Sequence, residues 1–240
     1  MIRPTITTRA ARLLGTFCIV AGAAAVPRSA AAQVYIGRDI PHRGNIEISG
    51  GAVWLGGYDL GSAAAEETRN TGTGTGPFVL FDTSSKTDPS VGLQGRLGVY
   101  ATKSVSVEGG VLVAWPSVST RLTGDAESAS DLTATETLTR VIVDGSVLFH
   151  FTGASFGGGR GVPFILGGAG YLRDAHEKNE VIETGHEFHI GGGLHYWFGQ
   201  GKHRFGIRAD GGISWRHGGA DSAETTRTVP MAAGSIAYLF

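Results

Sequence analysis

The residues of this 240-residue chain best suited to metal or acid–base chemistry crowd into one stretch, His186-Glu187-Phe188-His189, with His195 six positions further on. A zinc-protease helix places two histidines at i and i+4 on one face. Here they stand three apart in a segment that alternates with a period of two, so on a strand they point to opposite sides. His189 and His195 share a face but lie about 20 Å apart at ~3.3 Å per residue, too far to hold one ion. The segment alone makes no metal centre, and no cofactor is expected. The glycine clusters Gly72–Gly76 and Gly157–Gly161 are no phosphate loops, because neither leads into Lys-Ser/Thr and a helix; they read as flexible connections. What remains is a dispersed set of charges embedded in apolar sequence, and the chemistry open to it is ion pairing.

The elements that must carry those charges follow from composition and pattern. With 39 glycines, about twice the usual ~7%, the chain is no helical bundle, and its 4 Trp, 6 Tyr and 11 Phe are too many for a disordered one. Residues 1–32 hold Arg3, Arg9 and Arg12, the apolar run Leu13–Val26 and an Ala30-x-Ala32 site, the layout of a signal peptide cleaved before Gln33. The run is too short for the ~20 residues of a membrane-spanning helix. Removing this piece takes four of the 20 basic residues and none of the 21 acidic ones, leaving a formal charge of −5, which disfavours a nucleic-acid partner. The only cysteine, Cys18, leaves with it, so the exported chain has no disulfide and is no lipoprotein.

From Gly44 onward the dominant pattern is strict alternation. In Arg204–Arg216, Phe205, Ile207, Ala209, Gly211, Ile213 and Trp215 alternate with a face that carries Arg204, Arg208, Asp210 and Arg216. Eight such segments occur, roughly 45–60, 91–102, 105–122, 133–152, 162–174, 181–198, 204–217 and 225–240. Polar links at 61–90, 123–132, 175–180 and 218–224 alternate with the tight turns Lys103-Ser104 and Gly199–His203; Gly153–Gly161 is longer. Long links at one rim and short turns at the other describe an all-β, eight-stranded, antiparallel up-and-down barrel.

Such a barrel can be a soluble binding barrel with its apolar faces inward, or a membrane barrel with them outward. Three features favour the second. Charges alternate with glycines on the polar face, which suits a crowded lumen. The apolar faces end in aromatics, with Trp54, Trp115, Tyr196, Phe198 and Trp215 among them, and Tyr58, Phe149 and Phe151 alongside, as expected for interfacial girdles. The chain closes on Ile236-Ala237-Tyr238-Leu239-Phe240, a strand with a terminal aromatic.

On these segments and this C-terminal strand, residues 44–240 resemble the small outer-membrane β-barrel family that includes the OmpA transmembrane domain and OmpX. The resemblance implies a domain order of signal peptide (1–32), periplasmic lead (33–43) and outer-membrane barrel (44–240), with the long links at the cell surface and no periplasmic domain after Phe240. It also implies that the barrel-assembly machinery reads Tyr238 and Phe240, and that outer-membrane lipid and lipopolysaccharide surround a monomer. Rim arginines such as Arg69, Arg121, Arg173 and Arg227 could meet lipopolysaccharide phosphates. Lipid-modifying enzymes occur in barrels of this kind, but no His-x-Ser pair resembles their deacylase, and no catalytic residue is expected.

An eight-stranded lumen is just wide enough for side chains, and charges in it must pair, because an isolated buried ion costs several kcal/mol. The expected network makes Arg96 and Arg208 hubs with Glu47, Glu108, Asp144 and Glu187 as partners, beside Asp210, Arg140, Glu183, Arg204 and Arg216. A plug is expected in preference to a small passive pore, with a secreted soluble barrel as the third reading. Thr184 and His186 fall on the lipid face, and Leu112, Leu148 and Leu239 on the lumen face. Segments 105–122 and 133–152 exceed the ~9–11 residues of a membrane strand, and their Ser/Thr-rich surplus, Ser117–Thr123 and Thr133–Thr139, is expected to form a hairpin above the membrane. Loop 61–90 and the 117–139 hairpin are then the candidate surface-ligand elements.

Overall fold

The computed structural model describes residues 40–67, 78–125, 130–176, 181–199, 201, 203–219 and 226–240. The signal peptide, most of the lead, Gly72–Gly76 and Arg69 lie outside the described residues. The strands are β1 (Ile46–Leu55), β2 (Tyr58–Glu67), β3 (Phe78–Thr87), β4 (Ser90–Tyr100), β5 (Val105–Ala114), β6 (Ser117–Thr123), β7 (Leu132–Thr137), β8 (Thr139–His150), β9 (Gly161–Ala175), β10 (Ile182–Trp197), β11 (Arg204–Gly218) and β12 (Arg227–Leu239). Eight of them close into a barrel in the order β1-β12-β11-β10-β9-β8-β5-β4, and β2-β3-β6-β7 form a second sheet. Barrel neighbours are consecutive barrel strands and all pair antiparallel, so the barrel is of the up-and-down type.

Period-two alternation becomes two faces of opposite character. β4 alternates buried and exposed from Ser90 to Tyr100 without a break, with Gln94 and Arg96 inside and Val91, Leu93, Leu97 and Val99 outside. On β11, Arg204, Arg208 and Arg216 are buried while Phe205 and Ile207 are exposed. Leu112, Leu148 and Leu239 turn inward, and His186 outward. The barrel is inside out relative to a soluble one, which is the architecture of a small transmembrane β-barrel. At the closing seam, β1 pairs with β12 from Glu47↔Leu239 to Leu55↔Met231. A side chain at Gly51 would strike the Gly234 carbonyl and the Ser235 backbone, so the seam needs glycine there.

Three expectations about the links are corrected. The first segment stops at Leu55, where the Gly56 N–H donates to the Pro230 carbonyl, and Tyr58 opens β2 rather than ending a barrel strand. The link 61–90 is largely the hairpin β2–β3, because a strand solvated on both faces shows no apolar alternation. Gly153–Gly161 forms two short 3-10 turns closed by a Phe156↔Gly161 bridge, with positive φ at Gly157, Gly158 and Gly159. The Ser/Thr-rich surplus does form a hairpin, β6–β7, although Thr139 already belongs to β8.

β3 leads into β4 and β5 into β6, so the β3–β6 pair prolongs the β4–β5 hairpin beyond the barrel. Pro89 and Pro116, which have no N–H to give a ladder, lie at the two junctions and separate the sheets. The Asp88 N–H still donates to the Ser117 carbonyl, carrying the register across the break.

Candidate functional site

The inward side chains fill the lumen in layers. At the short-turn end, Tyr100 stacks on His150 (5.0 Å between ring centroids) and His195 on Trp197 (5.4 Å), while Phe164 packs at a tilt against His195 (4.9 Å). Glu47 accepts a hydrogen bond from the Tyr100 hydroxyl (2.9 Å) and lies 2.9 Å from His195 Nε2. His150 Nε2 meets Ser106 Oγ at 2.8 Å, and the Arg204 guanidinium lies 5.4 Å from the Trp197 ring.

The middle layer is ionic. Arg208 Nη1 reaches both Glu108 oxygens at 2.8 Å, and its Nε reaches Asp210 Oδ1 at 2.8 Å. Arg96 Nη2 lies 3.2 Å from Asp144 Oδ2, and its Nη1 lies 3.9 Å from Glu108 Oε2. Arg216 Nε donates to Glu187 Oε2 (3.0 Å), and His189 Nε2 meets Ser146 Oγ (2.8 Å). Gln94 bridges Arg96 and Ser235. Four carboxylates, Glu108, Asp144, Glu187 and Asp210, thus face three arginines.

Towards the long-link end an apolar cluster of Val53, Leu55, Leu112, Ala114, Ile142 and Leu172 crosses the lumen, with Met231 and Ala233 packed on it. Above it Arg140 grips Asp174 through two 2.7 Å hydrogen bonds and donates to the Tyr58 hydroxyl at 3.1 Å, tying β8 and β9 to β2. With Arg140 and Arg208 1–2% exposed and Trp197 fully buried, side chains occupy the barrel interior.

Of the expected lumen residues, Glu47, Arg96, Glu108, Asp144, Glu187, Arg208 and Asp210 all point inward, but the pairing differs from the two-hub scheme. Glu47 takes His195 and Tyr100, and Glu187 takes Arg216, because strand stagger sets which residues share a level. Glu183 sits at the long-link rim beside His176. Sequence reasoning missed the inward aromatics Tyr100, Phe164 and Trp197; Trp197 lies between two outward aromatics, where period two is hard to phase. Trp54, Trp115 and Phe198 are exposed, whereas Tyr196 and Trp215 are half-buried against neighbours. Tyr238 and Phe240 meet edge to face at 4.7 Å, and the Phe240 carbonyl accepts from Asn45 Nδ2 at 2.7 Å.

The second sheet is mostly polar and exposed. Arg121 pairs with Asp131 (2.7 Å) and Arg227 donates to the Leu60 carbonyl (2.7 Å), so both rim arginines already have partners within the chain. Asp88 is held below the usual carboxylate range by hydrogen bonds from Lys86 and Ser119. His176 stands between Glu136 of β7 (3.0 Å) and Glu183 of β10 (3.3 Å). Burial opposes its charge, yet these two hydrogen-bonded carboxylates raise its pKa above the usual histidine value.

No family model and no curated protein matches the sequence. Among solved structures the chain is similar to the outer membrane protein OprG from Pseudomonas aeruginosa, at 12% identity over 85% of this chain and 99% of that one, with a TM-score of 0.48. It is also similar to Ail, the attachment invasion locus protein of Yersinia pestis, in complex with sucrose octasulfate (12%, 82% and 99%, 0.45). The N-terminal β-barrel domain of Pseudomonas aeruginosa OprF is a further match (13%, 83% and 100%, 0.37). Identities this low carry no functional information, and what the chain does has to be read from its own residues.

Proposed function

We propose that the protein is an integral bacterial outer-membrane barrel, closed by its ionic and apolar lumen, that serves membrane integrity or surface contact through the β2-β3-β6-β7 sheet. The reversal of faces carries this reading. Ile48, Leu97, Val107, Val147, Ile165, Ile190, Ile207 and Ile236, one from each barrel strand, are all exposed, so an apolar belt runs round the whole circumference. Soluble monomers rarely expose patches above a few hundred Å². In water such a belt would drive aggregation, whereas in lipid it is the matched solvent.

The crossed ion pairs support a plug over a pore, since a conducting path would have to break them. Lipid and lipopolysaccharide then contact the belt and its rim, where Arg173 is exposed. The barrel-assembly machinery reads the strand ending in Tyr238 and Phe240, and the barrel works as a monomer.

Carbonate-washed membranes from cells expressing the chain should retain it, and its SDS-gel mobility should shift on boiling. In planar bilayers the purified protein should give no large, stable conductance. Release into the soluble fraction would refute the membrane reading, and steady conductance would replace the plug by a passive pore.

A further inference from the structure

Three side chains from two non-adjacent strands converge in the middle of the lumen: Asp144 on β8, and Glu187 and His189 on β10. One ligand atom of each lies within 4.8 Å of the others. The intervening strand, β9, presents Gly170 opposite Asp144 and Glu187, and Gly168 opposite Ser146 and His189. A Cβ at Gly170 would stand 3.1 Å from Asp144 Cβ and 3.3 Å from Glu187 Cγ, and one at Gly168 2.6 Å from His189 Nε2. The two glycines are what allow the three side chains to meet across β9.

Each of the three is held at one of its ligand atoms. Arg96 holds Asp144 Oδ2, Arg216 holds Glu187 Oε2, and Ser146 meets His189 Nε2. Asp144 Oδ1 and His189 Nδ1 are buried without a hydrogen-bond partner, and Glu187 Oε1 is 3.7 Å from that same Nδ1. His189 is itself 2% exposed. Ligating histidines and carboxylates are characteristically oriented by such outer partners on their non-ligating atoms. Glu108, Asp144, Glu187 and Asp210 face Arg96, Arg208 and Arg216 in this layer, so a cation placed there meets more carboxylates than guanidinium groups. A metal ion would bind the free Nδ1 lone pair of the imidazole.

We propose that Asp144, Glu187 and His189 form a mononuclear lumen site for a divalent transition-metal ion such as Zn²⁺. Two carboxylates and one imidazole, with a fourth position left to water, supply donor types that zinc accepts and the three-ligand count of an open site. Tetrahedral bonds of ~2.0–2.2 Å put ligand atoms about 3.3–3.6 Å apart, so binding requires the widest pair to close up by about 1.2–1.5 Å. A bound ion would fasten β8 to β10 inside the barrel. The site rests on the barrel interior and not on where the barrel resides.

The test uses the full chain folded in detergent with Co²⁺, added before folding in one sample and after it in another. The expected result is one Co²⁺ per chain with a visible absorption band that Zn²⁺ abolishes. His189→Gln and Asp144→Asn should each weaken binding by at least the ~10–100-fold that loss of an outer-shell partner costs. His186→Gln, on the outer face of the same strand, should leave binding unchanged. In the wild type, bound Co²⁺ should broaden the amide resonances of Gly168 and Gly170 before that of Gly51, which locates the ion even where a variant does not fold. No retained Co²⁺ in either sample, binding that survives both ligand substitutions, or broadening centred elsewhere would overturn the proposal.

Discussion

Arg208 offers the sharpest energetic test of the lumen, because it holds two carboxylates at once. Its Nη1 reaches both Glu108 oxygens and its Nε reaches Asp210, with the Arg208 and Glu108 side chains 0% and 3% exposed. Arg208→Met keeps much of the volume but removes the cation, leaving Asp210 without that partner and Glu108 with only Arg96 at 3.9 Å. Breaking a buried pair from one side costs about 3–5 kcal/mol, since the remaining charge has lost both water and partner. Glu108→Gln should cost a similar amount, and the double variant less than the sum, as expected for contacting residues. The internal control is Arg121–Asp131, a 2.7 Å pair whose side chains are 62% and 50% exposed; Asp131→Asn should cost no more than about 1 kcal/mol. Urea unfolding of the folded barrel in lipid vesicles, followed by tryptophan fluorescence and the SDS-gel shift, measures all four variants. Equal losses for Arg208→Met and Asp131→Asn would show that water reaches the middle layer and that the lumen is not a plug.

Gly51→Ala should prevent closure of the β1–β12 seam, because the added methyl meets backbone atoms of Gly234 and Ser235, whereas Gly95→Ala, with nothing within 4 Å, should fold normally. Recovery of a heat-shifted band from Gly51→Ala would refute this packing. Ile236→Lys, level with Gly50 near the middle of β1, should destabilise the barrel in vesicles by about 2–4 kcal/mol, and a neutral effect would argue against lipid at that position. The raised pKa of His176 means that its tie to Glu136 and Glu183 stabilises fully below the unfolded value of 6.5 and is lost as pH rises through the folded one. Hydrogen exchange in β7, corrected for intrinsic rates, should therefore accelerate from pH 6 to pH 9, and His176→Gln should remove that difference; an unchanged difference in the variant would assign it to another group.

Barrel closure and face assignment were legible because each barrel strand has two solvents, and a strict period of two records the difference. Arg204–Arg216 shows this most clearly, with every charge inward. The outer sheet was half legible. The Ser/Thr runs of β6 and β7 stood out as surplus length, but Gly61-Ser62-Ala63-Ala64-Ala65 of β2 has no apolar alternation, since both its faces meet water. Pairing across the lumen was the least legible feature. Glu47 and His195 meet across 148 residues because of strand stagger, which no single segment encodes. The Asp144, Glu187 and His189 cluster was hidden for the same reason: a search within the His186–His189 segment cannot see a ligand two strands away, and the only local signal is the spacing of Gly168 and Gly170.

The central claim is that lipid, and not water or protein, covers the apolar belt. Spin labels placed singly at Leu97, Val107, Val147 and Ile207 in vesicle-reconstituted protein, with oxygen and a water-soluble nickel chelate as competing relaxants, test it at four points of the circumference. The account predicts high oxygen and low chelate accessibility at all four, and the reverse at Thr135 in the outer sheet. Chelate access at the belt positions equal to that at Thr135 would contradict it.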